Sequence, residues 1–217
     1  MADLEHQPVE IELKYQVARD LPNTIENLVE WLESNATSGG EDELKNIYFD
    51  TPSRLLHQHR IGLRVRRWRG GGEQTIKFAG QQQGAMSARP EYNVPTVMLV
   101  PNLSLFPAHI WPAKVLGKLT VNGLNKQLEK QFEVTFTRRT WLYEQGCLKV
   151  EIALDQGCIL ALRKREAIQE LELELKAGNA EKLFALGASI AKRFSLTPGQ
   201  KSKAQRGYEL HGHGGRG

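Results

Sequence analysis

The chain has 217 residues, with 29 Lys and Arg against 25 Asp and Glu and a formal net charge of +4. That length suits one large all-β or α+β domain or two small ones, and 40% apolar content with four Trp is ordinary for a globular protein. No run approaches the roughly 18 apolar residues of a membrane-spanning helix, the first twenty residues are too charged for a secretory signal, and Cys147 and Cys158 follow no metal-ligand or redox spacing, so both are expected as reduced thiols in a cytoplasmic protein.

Residues 9–16 form the first predicted element. Charged and apolar residues alternate there, and successive side chains of a strand point to opposite faces. Glu10, Glu12 and Lys14 therefore share one face, and Val9, Ile11, Leu13 and Tyr15 the other. Residues 24–34 place Ile25, Leu28, Val29 and Leu32 on one helical face, and Asn23 with Glu26 predicts a capping box. Strands are expected at 45–50, 61–67, 74–80, 89–96, 132–143, 148–155 and 168–176, with turn signals at Asp50-Thr51-Pro52, Gly70-Gly71-Gly72, Gly84 and Asp155-Gln156-Gly157. Pro101, Pro107 and Pro112 interrupt residues 101–131, which read as irregular with a short helix near 124–130. Residues 180–194 form a second amphipathic helix behind an Asn179 N-cap. Taken alone, residues 202–208 read as a solvated end, and the Gly- and His-rich segment 211–217 as a disordered tail after a domain spanning 1–210.

Parity sorts the charges. Arg64 and Arg66 share a face, as do Thr75 and Lys77, then Arg89, Glu91 and Asn93, then Arg138 and Thr140, then Glu151 and Asp155, and finally Glu170, Glu172 and Glu174. For any one pair of strands, charged-out and apolar-in is the default of a half-buried sheet. Here, though, the first and penultimate strands supply most acids and the middle supplies Arg and Lys, with Arg60, Arg64, Arg66, Arg67 and Arg69 crowded into ten residues. Eight strands can close into a barrel around a small ligand. If the charged faces point inward, the lumen is a polar tunnel, and the two helices are expected to cover the apolar exterior. Clustered cations then need an anion with several phosphates. Glu10, Glu12, Glu170, Glu172 and Glu174 need a hard divalent cation, Mg²⁺ or Mn²⁺, between themselves and that anion. No Walker loop, G-x-G-x-x-G fingerprint or G-x-S-x-G elbow is present, and His57 and His59 make no metal-ligand pattern.

Together these residues resemble the CYTH family, the triphosphate tunnel metalloenzymes, from about residue 9 to residue 210. Glu10-Ile11-Glu12-Leu13-Lys14 matches the family's opening E-x-E-x-K. Ile47 to Pro52 with Gly62 to Arg66, Thr75-Ile76-Lys77, Arg89 to Tyr92, Glu151 to Asp155, Glu170 to Glu174 and Ser202 to Tyr208 follow in family order. The resemblance implies an α+β fold: an eight-stranded antiparallel closed β-barrel with a charged lumen and flanking helices. The blocks look most like the bacterial inorganic triphosphatases of the YgiF type, which implies hydrolysis of tripolyphosphate to pyrophosphate and phosphate. Those proteins often carry a helical CHAD domain after the tunnel, and this chain is expected to be either a stand-alone or a truncated member.

Carried over by position, Glu10, Glu12, Glu170, Glu172 and Glu174 would hold metal. Lys14, Arg64, Arg66, Lys77, Arg89, Arg138, Lys203 and Arg206 would grip phosphate. Glu91, Glu151 and Asp155 would orient those bases or bind a second metal that positions the attacking water, and residues 202–208 would fold over a tunnel mouth. Thiamine triphosphatases, nucleoside triphosphatases and class IV adenylate cyclases are the alternatives on the same fold. A polyphosphate- or RNA-binding module is the non-enzyme alternative. Phe49, Phe78, Tyr92 and Trp141 fall opposite the charged set, which argues against an RNA platform. The expected partner is a small anion, with neither nucleic acid nor membrane, and a homodimer is left open.

Overall fold

Strand alternation governs most of the chain, and the structure, a computed structural model, describes residues 9–19 and 23–212, with Gln82 by its backbone alone. In chain order the elements are β1 (Val9–Gln16), α1 (Thr24–Asn35), β2 (Thr37–Asp50), α2 (Leu55–Gln58), β3 (Gly62–Trp68), β4 (Gly71–Lys77), β5 (Gln81–Gln83) and β6 (Met86–Pro95). Two 3-10 turns follow (Leu103–Leu105 and Ala108–Ile110), then α3 (Ala113–Leu116), α4 (Val121–Asn125), β7 (Glu129–Gln145), β8 (Leu148–Ala161), β9 (Lys164–Ala177), α5 (Ala180–Phe194), β10 (Thr197–Pro198) and α6 (Lys203–Gly212).

Eight strands close in the order β1-β9-β8-β7-β2-β3-β4-β6 and back to β1, all pairs antiparallel, with β5 appended to β6 and β10 to β1. Neighbouring strands alternate in direction. The starts of β1, β8, β2 and β4 therefore share one rim, called here the first, with the ends of β9, β7, β3 and β6. In an eight-membered ring, β3 lies across the lumen from β9.

The outward apolar faces are buried under two different coats. On one side, α1 and α5 set Leu28, Leu32, Leu183, Ile190 and Phe194 against Leu13, Tyr15, Trp141, Ile152, Leu171 and Leu173. The indole N–H of Trp141 donates to Glu33 Oε1 at 3.0 Å and pins α1 to β7. On the other side, Ile47, Phe49, Leu63, Val65 and Ile76 are covered by Leu56, Leu103, Phe106, Ile110, Trp111, Val115 and Leu124. The two amphipathic helices thus cover only half the exterior. The proline-interrupted stretch that lacks helical periodicity covers the rest. It is tied down where Gln74 and the backbone of Asn102 exchange hydrogen bonds at 2.8 and 3.1 Å, and where Leu103 N–H donates to Asn125 Oδ1 at 2.7 Å. Its last helix ends at Asn125 rather than running over 124–130, and β7 begins at Glu129.

Other departures have local causes. Asn23 adopts a left-handed backbone (φ 60°) and its side chain caps nothing, so the expected capping box is absent. β2 starts eight residues before the predicted 45, because Thr37–Glu43 pairs with β7 despite a loop-like Ser-Gly-Gly-Glu-Asp sequence. The Asn179 cap does form, its Oδ1 accepting from Glu181 N–H at 2.6 Å.

The largest departure concerns residues 202–212. Lys203–Gly212 are neither a solvated end nor, at His211 and Gly212, a disordered tail, but form α6 over one rim, as the family resemblance implies; residues 213–217 lie outside the described residues. Helix α6 packs at the second rim. There the inward residues of β7, β8, β9 and β2 turn apolar, and Phe132, Val134, Phe136, Ile159, Ala161, Ile168 and Tyr48 enclose Tyr208. The lumen is therefore charged along part of its length and greasy beneath α6. Tyr208 stands edge-on to Phe132 at 5.1 Å, stacks on His57 at 4.0 Å and donates its hydroxyl to the buried Asp50 at 2.9 Å. Asp50 also accepts from the backbone N–H groups of Thr51, Leu56 and His57, which fixes the β2–α2 turn to the helix.

A Cβ at Gly207 would land on the Phe132 ring. Gly207→Ala should therefore lower the unfolding free energy by about 1–3 kcal/mol, the usual range for overpacking, measured by urea denaturation. A variant as stable as the parent would mean that α6 does not depend on this close approach.

Candidate active site

A cavity of about 1410 Å³ runs through the barrel, from Val9, Glu151 and Lys176 at the first rim to His57, Arg60 and Gln81 at the second. Its floor is built by cross-strand register. Glu12 on β1, Glu174 on β9 and Glu151 on β8 are successive partners, and so are Lys14, Glu172 and Ala153, then Gln16, Glu170 and Asp155. Directly opposed like charges destabilise a sheet unless something compensates them, and the row Glu12–Glu174–Glu151 is such a set. Across the lumen, β3 contributes Arg64 and Arg66.

Compensation comes first from within the chain. Lys77 Nζ bridges Glu10 and Glu91 at 2.5 and 2.6 Å. Arg89 reaches Glu12 at 3.1 Å, and Lys176 reaches Glu174 at 2.7 Å and Glu151 at 3.6 Å. Arg138 forks onto both oxygens of Asp155 at 2.7 Å and extends to Glu172 at 2.6 Å. Lys203, carried inward by the first residue of α6, places one ammonium against Asp155 at 2.7 Å and against Glu170 and Glu172 at 2.8 Å each.

These neighbours move the proton equilibria. Burial opposes ionisation of Glu172, but Lys203, Arg138 and Lys14 outweigh it and hold the carboxyl well below its usual range. Asp155 is held down in the same way by Lys203 and Arg138. Burial, against the pull of Lys77 and with Glu91 and Glu12 alongside, pushes Glu10 up to about 8. Its partner Glu91, though buried, is held low by a hydrogen bond from Glu10 and by Lys77 and Arg64. The two carboxyls of the pair thus depart from the usual range in opposite directions.

Arg64 and Arg66 are compensated least. The closest carboxylate to either is Glu73, at 3.7 and 3.9 Å. Burial and the charges of Arg64 and Arg138 bring Arg66 down to about 9. Arg66 Nε donates to Asn46 Oδ1 at 2.9 Å, and both Arg66 and Arg138 lie over the Phe136 ring. Among the described residues, Arg64 Nε, Arg89 Nε and Asn46 Nδ2 are buried without a hydrogen-bond partner. These buried donors suit an anion.

Of the residues singled out by sequence, Glu10, Glu12, Lys14, Arg64, Arg66, Lys77, Arg89, Glu91, Arg138, Glu151, Glu172, Glu174 and Lys203 line the cavity. Asp155, Glu170 and Arg206 do not. Asp155 and Glu170 are fully buried beneath it, and Arg206 grips Glu170, Glu166 and the carbonyl of Ala167. Among the described residues no three His, Cys, Asp or Glu side chains form a ready-made metal cage. The available donors are all carboxylate oxygens, however, which fits a hard divalent cation. Sequence reasoning missed Asn46, Tyr48, Arg60, Glu73 and Lys176. Strand parity alone would have found Glu73 beside Thr75 and Lys176 beyond Glu174. The inward face of β2 was obscured by its mixed Asn, Tyr and Asp.

Comparison with known proteins agrees with this architecture. The CYTH domain model matches residues 8–208. An inorganic triphosphatase of Haemophilus influenzae is 31% identical over 205 residues, covering 93% of this chain and 54% of that protein, so the chain spans about half the length of this curated relative. A Hippeastrum protein described as revealing a dominant triphosphatase activity superposes with a TM-score of 0.66 at 16% identity, over 94% of this chain and 96% of its own. A candidate adenylate cyclase of Bacillus halodurans gives 0.57 at 19% identity, over 91% and 97%; at such identities the likeness is one of fold. With the family model spanning nearly all of the barrel and α6, the chain belongs to the CYTH domain family.

Proposed function

We propose that the chain is a metal-dependent hydrolase that splits tripolyphosphate into pyrophosphate and phosphate inside the barrel. The observation that carries this reading is the group Arg64, Arg66 and Arg138, with the middle guanidinium pressed by the other two and no carboxylate in close contact with it. An anion with several phosphates compensates such a group, and the guanidinium fork matches its oxygens. The Haemophilus relative, named an inorganic triphosphatase, supports that substrate class. The cationic surface faces a closed lumen, which admits a small anion and not a duplex. The aromatic rings of the lining are already engaged: Tyr48 with Phe132 at 4.6 Å, Tyr208 with His57 at 4.0 Å, and Phe78 with Tyr92 at 6.0 Å. Each of these rings is in contact with another aromatic ring.

In this reading Glu10, Glu12, Glu172 and Glu174 hold Mg²⁺ or Mn²⁺ from the cavity wall, with Glu170 supporting from beneath. When bound, the cation supplies charge neutralisation at the phosphoryl oxygens. Arg64, Arg66 and Arg138 grip the anion, and Lys14, Lys77, Arg89 and Lys203 add point charges. Asp155 acts through Arg138 and Lys203, Glu91 through Lys77, and Arg206 through Glu170, so these three are positioning residues. Water attacks a terminal phosphorus in line while the guanidiniums stabilise the departing pyrophosphate. Glu151, half-exposed at the first rim and paired with Lys176, takes up the proton. Free Cys147 and Cys158 suit a reducing compartment, which we take to be the cytoplasm.

Side-by-side turnover of tripolyphosphate, ATP and thiamine triphosphate with Mg²⁺ or Mn²⁺ tests the substrate; equal or faster ATP turnover would remove the inorganic reading. Arg66→Met should raise KM for tripolyphosphate roughly tenfold or more. Without anion its melting temperature should be unchanged or higher, because a strained charge is gone. An unchanged KM would place Arg66 outside the binding site. Glu12→Gln should lower turnover roughly 100-fold with little change in melting temperature, and metal-dependent hydrolysis at the parental rate would end the role of β1.

A further inference from the structure

Lys203 occupies an unusual position. Its ammonium sits at 2.7–2.8 Å from three separate carboxylates, those of Asp155, Glu170 and Glu172. Of the three, only Glu172 also lines the cavity, as Lys203 itself does. Glu172 is thus shared between the buried cage and the cavity wall, with Lys203 on one side and Arg138 on the other. Three anions around one buried cation is the electrostatic environment that a divalent cation would otherwise meet. The side chain that fills it is a point charge on a flexible stem.

That stem is delivered by α6, which has docking contacts of its own besides the Arg206–Glu170 ion pair. Tyr208 donates to Asp50 at 2.9 Å, Arg54 and His211 form a hydrogen bond at 2.6 Å, and Gly207 lies on the Phe132 ring. The ammonium itself also lies 5.3 Å from the centre of the Phe136 ring, beneath Arg66 and Arg138. Lys203 and Arg66 thus share one ring, Arg66 being the guanidinium with no carboxylate in close contact.

We propose that Lys203 is an internal counter-ion that competes with the divalent cation for Glu172 and, on yielding that carboxylate, adds its charge to the anion side of the cavity. The inference rests on the metal role given to Glu172 above. It makes the resting site self-neutralised and couples the arrival of metal to the assembly of the phosphate grip. One residue then has opposite effects on the two ligands: its charge weakens cation binding and strengthens anion binding. A lysine that served only to hold the fold would affect both in the same direction.

The test is Mn²⁺ binding to the full chain without phosphate, read by electron paramagnetic resonance or calorimetry, beside the thermal shift that tripolyphosphate induces without metal. Lys203→Met is expected to bind Mn²⁺ roughly tenfold or more tightly than the parent and to lose most of the tripolyphosphate-induced shift. Lys203→Arg, which keeps the charge, is expected to stay near the parent in Mn²⁺ affinity. Tyr208→Phe alters no charge and only loosens α6, so it carries the test if Lys203→Met does not fold; it is expected to tighten Mn²⁺ binding roughly threefold. Unchanged or weaker Mn²⁺ binding in the variant measured overturns the counter-ion role while leaving the hydrolase reading intact. Absence of Mn²⁺ binding in the parent and in every variant overturns the metal role on which both readings stand.

Discussion

The contacts of Glu172 with Arg138 at 2.6 Å and with Lys203 at 2.8 Å hold the interior together. A closed sheet that turns its charged face inward removes those charges from bulk water, and a lone buried carboxylate or guanidinium there would be strongly unfavourable. The chain meets this constraint by interleaving signs across strands, so that β7 and α6 bring cations to the acids of β8 and β9. Asp155 and Glu170, which no solvent reaches, exist as charges only because Arg138, Lys203 and Arg206 surround them. Where interleaving is weakest, at Arg66 on β3, the imbalance favours the proposed anion site.

Inverting the polarity of the sheet also dictates the exterior. Each strand presents apolar residues outward, and a barrel in this state needs a continuous coat. The coat has two parts of different character: two amphipathic helices on one flank, and on the other a proline-interrupted segment held by side-chain to backbone hydrogen bonds from Gln74 and Asn125. Leu103, Phe106, Ile110 and Trp111 contribute burial without helical regularity, which is why the second flank survives Pro101, Pro107 and Pro112.

Much of the fold was legible because a period of two is hard to mistake. β1 and α5 match their predicted limits, and parity alone groups Glu10 with Glu12 and Lys14, Arg64 with Arg66, and Lys77 and Arg138 with the charged faces of their strands. Direction was not legible: alternation assigns two faces to a strand without saying which is inside, and the family resemblance supplied that. The early part of β2 was hidden because its strand state is imposed by β7 and not by its own Ser-Gly-Gly-Glu-Asp composition. Helix α6 was hidden for the opposite reason. Its Lys, Gln and Arg read as solvated, yet Lys203 and Arg206 are consumed by buried carboxylates, and Gly207, a poor helix former, is present because Phe132 leaves no room for a Cβ. The separation of Asp155, Glu170 and Arg206 from the cavity depends on depth along the barrel axis, which parity does not encode.

The position of β1 has a further consequence. Strand β1 finds its partners in β6 and in β9, so its edges pair with residues 86–90 and 170–174. Ring closure therefore cannot precede synthesis of β9. Until then the alternating segment Ile11-Glu12-Leu13-Lys14-Tyr15 is an open sheet edge. Pairings so distant along the sequence make for slow folding, and an unpaired edge invites association with other chains. The acids and lysine spaced along that edge would in the meantime discourage it from joining a neighbour.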